Sequence, residues 1–272
     1  MTDALAQRCA LAILLAAMVA TLVGLLAWGP VPLGPDAHRY ADDRAVLGVV
    51  NGWNVLVNLP LLVAGLFGLA AERRSAAPLW LRRSRQGFHV AVALGALAAT
   101  WYHLAPGDTV YVAAQALMAA GFLMLTCALL GERVHPAFAS PLVLGAAALS
   151  PALAALAGGP AGWPGPADLR PLLFLQFVPL LVVPAGALSL PGTQTRSSDW
   201  IVLLVIYGAA KVFDLGDATI LQATGVVSGH TLMHLCFALA AAWLAYCTIA
   251  RSGATSATGG DSQRRTSLNT SR

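Results

Sequence analysis

The chain has 272 residues, of which 58% are hydrophobic and 10% charged, and its mean hydropathy is +0.71. A soluble domain carries about 25% charged residues, so this composition excludes a soluble globular protein and indicates a polytopic membrane protein. The sequence contains no Walker loop, no glycine-rich dinucleotide fingerprint and no Gly-x-Ser-x-Gly elbow. It therefore gives no support for a P-loop NTPase, a Rossmann dehydrogenase or an α/β-hydrolase.

Eight apolar segments reach or approach the length of about 20 residues that a membrane-spanning helix needs. In chain order they are Cys9–Trp28, Gly48–Ala71, Gly87–Leu104, Val110–Leu130, Pro141–Leu156, Pro171–Leu190, Trp200–Ile220 and Gly229–Ala250. The first segment is interpreted as a retained helix rather than a signal peptide, because its apolar core is too long for one. The sequence thus predicts an all-α polytopic membrane protein.

The arginines predict the orientation, since cytoplasmic loops of membrane proteins are enriched in Lys and Arg. With eight spans, twelve arginines fall on one side: Arg8, Arg73, Arg74, Arg82, Arg83, Arg85, Arg133, Arg196, Arg251, Arg264, Arg265 and Arg272. Three fall on the other side: Arg39, Arg44 and Arg170. Both termini are therefore expected in the cytoplasm. The same asymmetry explains the isoelectric point of 9.1 without a nucleic-acid partner.

Two histidines four residues apart, His230 and His234, begin the last span and share one face of a helix. The predicted orientation brings His103, at the end of the third span, to the same outer boundary. Three histidines with one open coordination position are a catalytic zinc arrangement, and the zinc would lower the pKa of its water toward 7. The alternative is three separate histidines that hydrogen-bond between helices.

Other polar residues are expected at this depth on the second and seventh spans. Asn51 begins a stripe of three asparagines, which favours contacts between helices. Lys211 and Asp214 are three residues apart and are interpreted as an ion pair. Asp217 lies outside this ion pair and is predicted either to orient a ligating histidine or to accept a proton. The remaining histidines are predicted to lie too far from the site to take part: His38, His89 and His135.

Three blocks of the sequence carry a family pattern. They are Ala41–Arg44 leading into Asn51–Pro60, then Trp101–Pro106, and then Val227–Leu235. Together they resemble the bacterial branch of the alkaline ceramidase family, within a superfamily of seven-helix membrane hydrolases. The resemblance implies a seven-helix core bundle over residues 41–251. One extra N-terminal transmembrane helix and an outer loop precede it in residues 1–40. Residues 252–272 are rich in Ser, Thr and Gly, and are expected to form a disordered cytoplasmic tail.

The resemblance also implies a chemistry. It implies that His103, His230 and His234 bind zinc. It also implies that the protein hydrolyses the amide bond of a ceramide-like N-acyl lipid taken from the membrane. With the orientation above, it places the protein in a bacterial inner membrane, with the metal site toward the periplasm. The expected partner is a membrane lipid substrate.

Two positions depart from the family pattern. The family has a serine four residues before its first zinc histidine and an aspartate eleven residues after it, where this chain has Ala99 and Ala114. Thr100 and Asp217 are the predicted substitutes for these groups. The acidic calcium-binding cluster of eukaryotic members is also not evident, because Asn51 stands where an acidic residue is expected.

Two other functions are left open by the sequence. The first is a catalytically silent relative that keeps zinc as a lipid receptor or structural membrane protein. The second is a transporter or proton relay that uses Lys211, Asp214 and Asp217. The second is less favoured, because the chain shows no internal repeat and no paired broken helices.

Overall fold

A computed structural model describes residues 3–34, 36–158 and 168–269 of the chain. Within these residues the protein is α-helical, apart from an isolated antiparallel bridge between Val46 and Val49. The helices are α1 (Asp3–Trp28), α2 (Gly52–Leu56), α3 (Asn58–Arg73), α4 (Leu79–Leu104), α5 (Asp108–Arg133), α6 (Pro141–Gly158), α7 (Arg170–Ser189), α8 (Ser197–Leu215), α9 (Asp217–Thr224) and α10 (Gly229–Asn269). A short 3-10 helix, Pro136–Ala139, lies between α5 and α6.

Six of the eight predicted spans are long and apolar enough to cross a membrane. They are Leu11–Trp28, Gly52–Arg73, Asp108–Arg133, Pro141–Gly158, Arg170–Ser189 and Gly229–Arg251. The other two predicted spans form α4 and α8, and these helices carry more polar residues. Arginines occupy the first turns of α4, and α8 contains Asp199, Lys211 and Asp214. The prediction of an integral membrane protein is confirmed, whereas the eight-span arrangement stays a prediction.

Several predicted spans have different boundaries in the structure, and two of them differ near the histidines. The second was expected to begin at Gly48, but residues 48–51 form a turn in which Gly48 and Asn51 have positive φ angles of 80° and 49°. The seventh was expected to continue to Ile220, but α8 ends at Leu215. Gly216 then ends the helix, and α9 starts with Asp217. At the first break, Asn51 bonds to the carbonyl oxygen of His103. At the second, Asp217 bonds to the N–H of His230.

The helices α3, α4, α5, α7, α8 and α10 form a closed ring, in which each helix contacts the next and α10 returns to α3. Helix α6 packs outside this ring against α5 and α7, and α1 packs against α7. Alanines that are almost completely buried form much of the helix contacts: Ala96, Ala119, Ala128, Ala187, Ala210, Ala241 and Ala245. Small residues let helix backbones approach closely, which is how membrane helices gain packing energy.

Helix α10 is the element that carries two of the three histidines. It contacts α3 and α8 inside the ring, and its apolar part ends at Arg251. Its backbone continues as a helix to Asn269, where the composition predicts a disordered tail. The side chains of residues 252–269 lie outside the described part of the chain, so the predicted disorder of this tail stays a prediction.

Candidate metal centre

Three histidines meet where the end of α4 faces the first turns of α10. The ring centroids of His103 and His230 are 5.3 Å apart, those of His103 and His234 5.5 Å, and those of His230 and His234 4.9 Å. One ring nitrogen from each lies within 4.8 Å of the other two. A single ion could therefore contact all three side chains. Among the described residues, no other group of three or more His, Cys, Asp or Glu side chains offers such a site.

The burial of these histidines supports a bound ion. His103 is 1% exposed and His234 is 7% exposed. Buried ring nitrogens on all three residues, Nδ1 of His103, Nε2 of His230 and Nδ1 of His234, have no hydrogen-bond partner among the described residues. A buried polar atom without a partner costs free energy. A metal ion would offset this cost, so the residues fit the group that the sequence predicts.

Asp214 orients one of the three histidines. Its Oδ1 lies 3.2 Å from Nδ1 of His230, and its Oδ2 accepts a hydrogen bond of 2.8 Å from Nζ of Lys211. A carboxylate on one imidazole nitrogen fixes the tautomer, and so leaves the other nitrogen free to bind a metal. The free nitrogen here is Nε2 of His230. Lys211 and Asp214 form the ion pair that the sequence predicts, and the same carboxylate also faces the site.

Asp217 acts on the backbone rather than on an imidazole. Its Oδ1 accepts a hydrogen bond of 2.8 Å from the backbone N–H of His230. Its Oδ2 accepts one of 3.0 Å from the backbone N–H of Ala41. The carboxylate therefore satisfies a free donor at the start of α10 and ties the loop before α2 to that helix.

Close backbone contact places the first turn of α10. Ser228 is fully buried, and its Oγ accepts a hydrogen bond of 3.2 Å from the N–H of Thr231, as an N-cap residue does. A Cβ on Gly229 would collide with the carbonyl oxygen of Phe213 and lie 2.8 Å from Cα of Asp217. Glycine is thus needed where α10 meets the junction of α8 and α9.

The predicted asparagine stripe joins the elements around His103. Asn51 donates a hydrogen bond of 2.9 Å from Nδ2 to the carbonyl oxygen of His103, which lies near the free C-terminal end of α4. Asn54 donates one of 2.9 Å to the carbonyl oxygen of Asp42, and Asn58 one of 2.8 Å to that of Asn54. Asn51 and Asn54 thus join separate segments of the chain, whereas Asn58 bonds back to the preceding helical turn.

The histidines open onto a cavity of about 560 Å³ that is lined by the helices of the ring. Most of its wall is apolar, and it extends along α8 from Asp214 to Trp200. At a rise of about 1.5 Å per residue, this stretch of α8 is roughly 20 Å long. The volume is in the range of about 300–1,000 Å³ that is usual for small-molecule sites.

The two family positions that are alanine in this chain, Ala99 and Ala114, both line this cavity. Their methyl groups offer no hydrogen bond to a bound molecule. Thr100 does not line the cavity, and its hydroxyl donates a hydrogen bond of 2.8 Å to the carbonyl oxygen of Ala96 within α4. Both predicted substitutes, Thr100 and Asp217, thus form hydrogen bonds with backbone groups.

A cluster of aromatic and polar residues that the sequence did not predict lies beside the histidines. His38, which was predicted to be too far from the site to take part, is not one of the three clustered histidines. Its Nδ1 lies 2.8 Å from the hydroxyl of Tyr102, and its Nε2 lies 2.7 Å from Oδ1 of Asp108. The loop before α2 folds over the site, and a prediction from helix depth alone could not place it. His89, which is about 20 Å from His103 along α4, and the exposed His135 lie outside the three-histidine cluster.

Tyr40 in the same loop packs against two of the three histidines. Its ring centroid is 4.8 Å from that of His103 and 4.9 Å from that of His230, and the residue lines the cavity. No local sequence signal distinguishes it. It follows His38 by two residues in a polar loop, and only the fold brings it to the histidines.

These observations define the chain as a polytopic, all-helical membrane protein with a buried cluster of three histidines that could hold a metal ion. Compared with models of known protein families, with curated proteins and with solved structures, the chain matches none.

Proposed function

We propose that the protein is a zinc-dependent membrane hydrolase that cleaves the amide bond of a ceramide-like N-acyl lipid. The observation that carries the proposal is the opening of the three-histidine cluster onto a long apolar cavity inside a membrane protein. A zinc ion held by three histidines supplies a Lewis acid for a carbonyl group and makes water a nucleophile near neutral pH. The resemblance of the three sequence blocks to the alkaline ceramidase family supports the choice of an amide-linked lipid.

Each part of the site has a role in this proposal. His103, His230 and His234 hold the ion, and Asp214 keeps the imidazole of His230 in the orientation and tautomer that ligation needs. The apolar wall binds the acyl chain along the bundle and excludes water from the polar end. An acyl chain that enters from the bilayer exchanges one apolar environment for another, so it gains little hydrophobic free energy. The wall therefore selects the substrate by the shape and length of its chain.

The proposal includes an arrangement in the membrane. We place a seven-helix core of the ceramidase type after α1, with both termini in the cytoplasm and the histidines toward the periplasm. The twelve arginines on one side and three on the other support this orientation.

Reactivity toward a membrane-impermeant reagent tests this orientation, with single cysteines introduced at two exposed loop positions, Thr193 and Asp36. Thr193 lies between α7 and α8, and Asp36 lies between α1 and α2. Labelling of the Asp36→Cys variant alone in intact spheroplasts is expected. Labelling of the Thr193→Cys variant alone would show the opposite orientation.

A second function is favoured by one specific observation. Ala99 and Ala114 line the cavity where the family has a serine and an aspartate, so a silent metal-binding lipid receptor is the competing candidate. It shares the bound metal and the bound lipid with the hydrolase but turns over no amide. The double variant Ala99→Ser/Ala114→Asp separates the two, because it would create activity in a silent receptor.

The experiment for the main proposal is a hydrolysis screen on purified protein of known metal content. The substrates are N-acyl sphingoid bases and other long-chain N-acyl amines in mixed micelles, and fatty acid release is measured by mass spectrometry. The wild type is expected to release fatty acid, and the His234→Ala variant is expected to release none. A metal-loaded wild type that leaves every amide intact would contradict the hydrolase function and favour the lipid receptor.

A further inference from the structure

An amide hydrolase needs a donor for the negative charge that develops on the carbonyl oxygen, and the family positions for polar groups are alanine here. The two predicted substitutes are already committed to backbone groups, since Thr100 bonds to Ala96 and Asp217 bonds to His230 and Ala41. Among the other donors that line the cavity, Lys211 donates to Asp214, whereas the hydroxyl of Tyr40 has no such acceptor among the described residues.

The aromatic side chain in contact with two of the three histidines is Tyr40. Its ring lies against His103 and His230, and it belongs to the cavity wall. Its hydroxyl oxygen is buried and has no hydrogen-bond partner of normal geometry among the described residues. A buried hydroxyl without a partner is costly unless a bound molecule supplies one.

The neighbouring phenol of Tyr102 does not take this role. Its hydroxyl donates to the carbonyl oxygen of Ala37 at 3.1 Å and lies 2.8 Å from Nδ1 of His38. These bonds hold the loop that carries Tyr40 against the end of α4. Tyr102 therefore positions the loop and packs against the ring of Tyr40, with ring centroids 6.0 Å apart.

Hydrogen bonds also hold the other end of this loop. The N–H of Ala41 bonds to Asp217, whose second oxygen holds the N–H of His230. Arg44 donates hydrogen bonds of 3.2 Å and 2.8 Å to the carbonyl oxygens of Gly225 and Val226. The position of Tyr40 is thus fixed relative to His230 by one shared carboxylate, which is the preorganisation that charge stabilisation requires.

We propose that Tyr40 is a catalytic residue that donates a hydrogen bond to the amide carbonyl oxygen of the substrate in the transition state. This inference rests on the proposed hydrolase function. As water adds to the carbonyl carbon, an electron pair moves onto the carbonyl oxygen, and the O–H of Tyr40 stabilises it without losing its proton. The carbonyl then re-forms as the C–N bond breaks. The attacking water supplies both the hydroxyl that stays on the acyl carbon and the proton that leaves with the amine.

The test compares the wild type with the Tyr40→Phe variant, which keeps the ring and removes only the oxygen. Both proteins are loaded with zinc, and their affinity for palmitoyl hydroxamate is measured by calorimetry, because this probe carries an acyl chain and places an oxyanion at the histidines. The variant is expected to bind the probe about 10- to 100-fold more weakly, as for the loss of a hydrogen bond to a charged group. Its kcat for the best amide substrate is expected to fall about 10²–10³-fold.

The matched control is Tyr207→Phe, which removes a hydroxyl from the same cavity on α8, where the ring of Tyr207 packs 5.5 Å from that of Phe122. Its affinity for the hydroxamate is expected to equal that of the wild type. Adding Ala99→Ser to the Tyr40→Phe variant is expected to restore part of the affinity, because it returns a hydroxyl to the cavity wall.

Equal hydroxamate affinity in the wild type and the Tyr40→Phe variant would overturn the proposal. Loss of the metal from Tyr40→Phe would also overturn it, since Tyr40 would then be a packing residue. A wild type that cleaves no amide refutes the proposed hydrolase function alone, and the hydroxamate comparison still decides whether Tyr40 donates to an oxyanion at the histidines.

Discussion

Asp214 on α8 lies 3.2 Å from Nδ1 of His230 on α10, and this contact joins a carboxylate to one of the three candidate metal ligands. The same carboxylate carries the ion pair with Lys211. Asp214 thus connects a lysine on its own helix to a histidine on α10, and the site extends beyond the three imidazoles.

The first prediction concerns this pair. Asp214→Asn is expected to lower zinc affinity about 10- to 100-fold, as loss of a carboxylate partner of a ligating histidine does. Competition with a fluorescent chelator measures the dissociation constant. Lys211→Gln is the control, because it leaves Asp214 on His230 and is expected to change the affinity far less. A larger effect from Lys211→Gln than from Asp214→Asn would contradict the assigned roles.

The second prediction concerns the close approach of α10 to the junction of α8 and α9. Gly229→Ala puts a methyl group onto the backbone of Phe213 and Asp217, and is expected to displace the first turn of α10. Thermal stability and zinc content should both fall. Gly208→Ala on α8 is the control, since nothing lies within 4 Å of its Cβ position. Unchanged zinc content in Gly229→Ala would show that the backbone contact does not position His230.

The third prediction concerns pH. Hydrogen bonds from Arg44, whose Nη2 lies 2.6 Å from Oδ2 of Asp42, lower the pKa of the Asp42 carboxyl. A group whose pKa is lowered by folding stabilises the protein above its unfolded pKa of about 3.9, and this contribution is lost as the pH falls through the lower folded pKa. Arg44→Gln is therefore expected to lower the melting temperature more at pH 7 than at strongly acidic pH, where only its bonds to the carbonyl oxygens of Gly225 and Val226 are lost.

The control for that comparison is Arg39→Gln, which breaks an ion pair with Asp36 whose side chains are 83% and 70% exposed. Exposed pairs contribute little, so its melting curve should follow the wild type at every pH. A constant difference between Arg44→Gln and the wild type across pH would contradict the role given to the Asp42 carboxylate.

The fourth prediction concerns the acyl chain. Ala240 lines the cavity on α10 two to three turns below the histidines, so Ala240→Phe is expected to shorten the space for a lipid tail. Release of fatty acid, or binding of acyl hydroxamates, should shift toward shorter chains with zinc content unchanged. Leu239→Phe, at a position that is 56% exposed, is the control. An unchanged chain-length profile in Ala240→Phe would contradict an acyl chain in this cavity.

Helix periodicity and charge asymmetry predicted the part of the site that lies on helices. His230 and His234 had to share a face at a spacing of four residues, and the arginine distribution brought His103 to the same end of the bundle. The structure places all three within reach of one ion. This prediction succeeded because depth along a membrane helix depends on residue count and orientation alone.

The parts that lie off regular helices could not be predicted in this way. Asp217 was expected to face an imidazole or a proton, but α8 ends before it, and the carboxylate caps the backbone of α10. Tyr40 reaches the histidines through a loop whose path depends on contacts with Asp217 and Tyr102. Such contacts join residues far apart in the sequence, and neither spacing nor composition encodes them.

The most direct test of the three-histidine centre is the zinc content of protein purified without chelators, measured by mass spectrometry for the wild type, His234→Ala and His89→Ala. His89 is a fully buried histidine outside the cluster, so it controls for the loss of a buried imidazole. About one zinc per chain is expected in the wild type and in His89→Ala, and none in His234→Ala. A wild type without metal, or a His234→Ala variant that retains it, would contradict the three-histidine centre.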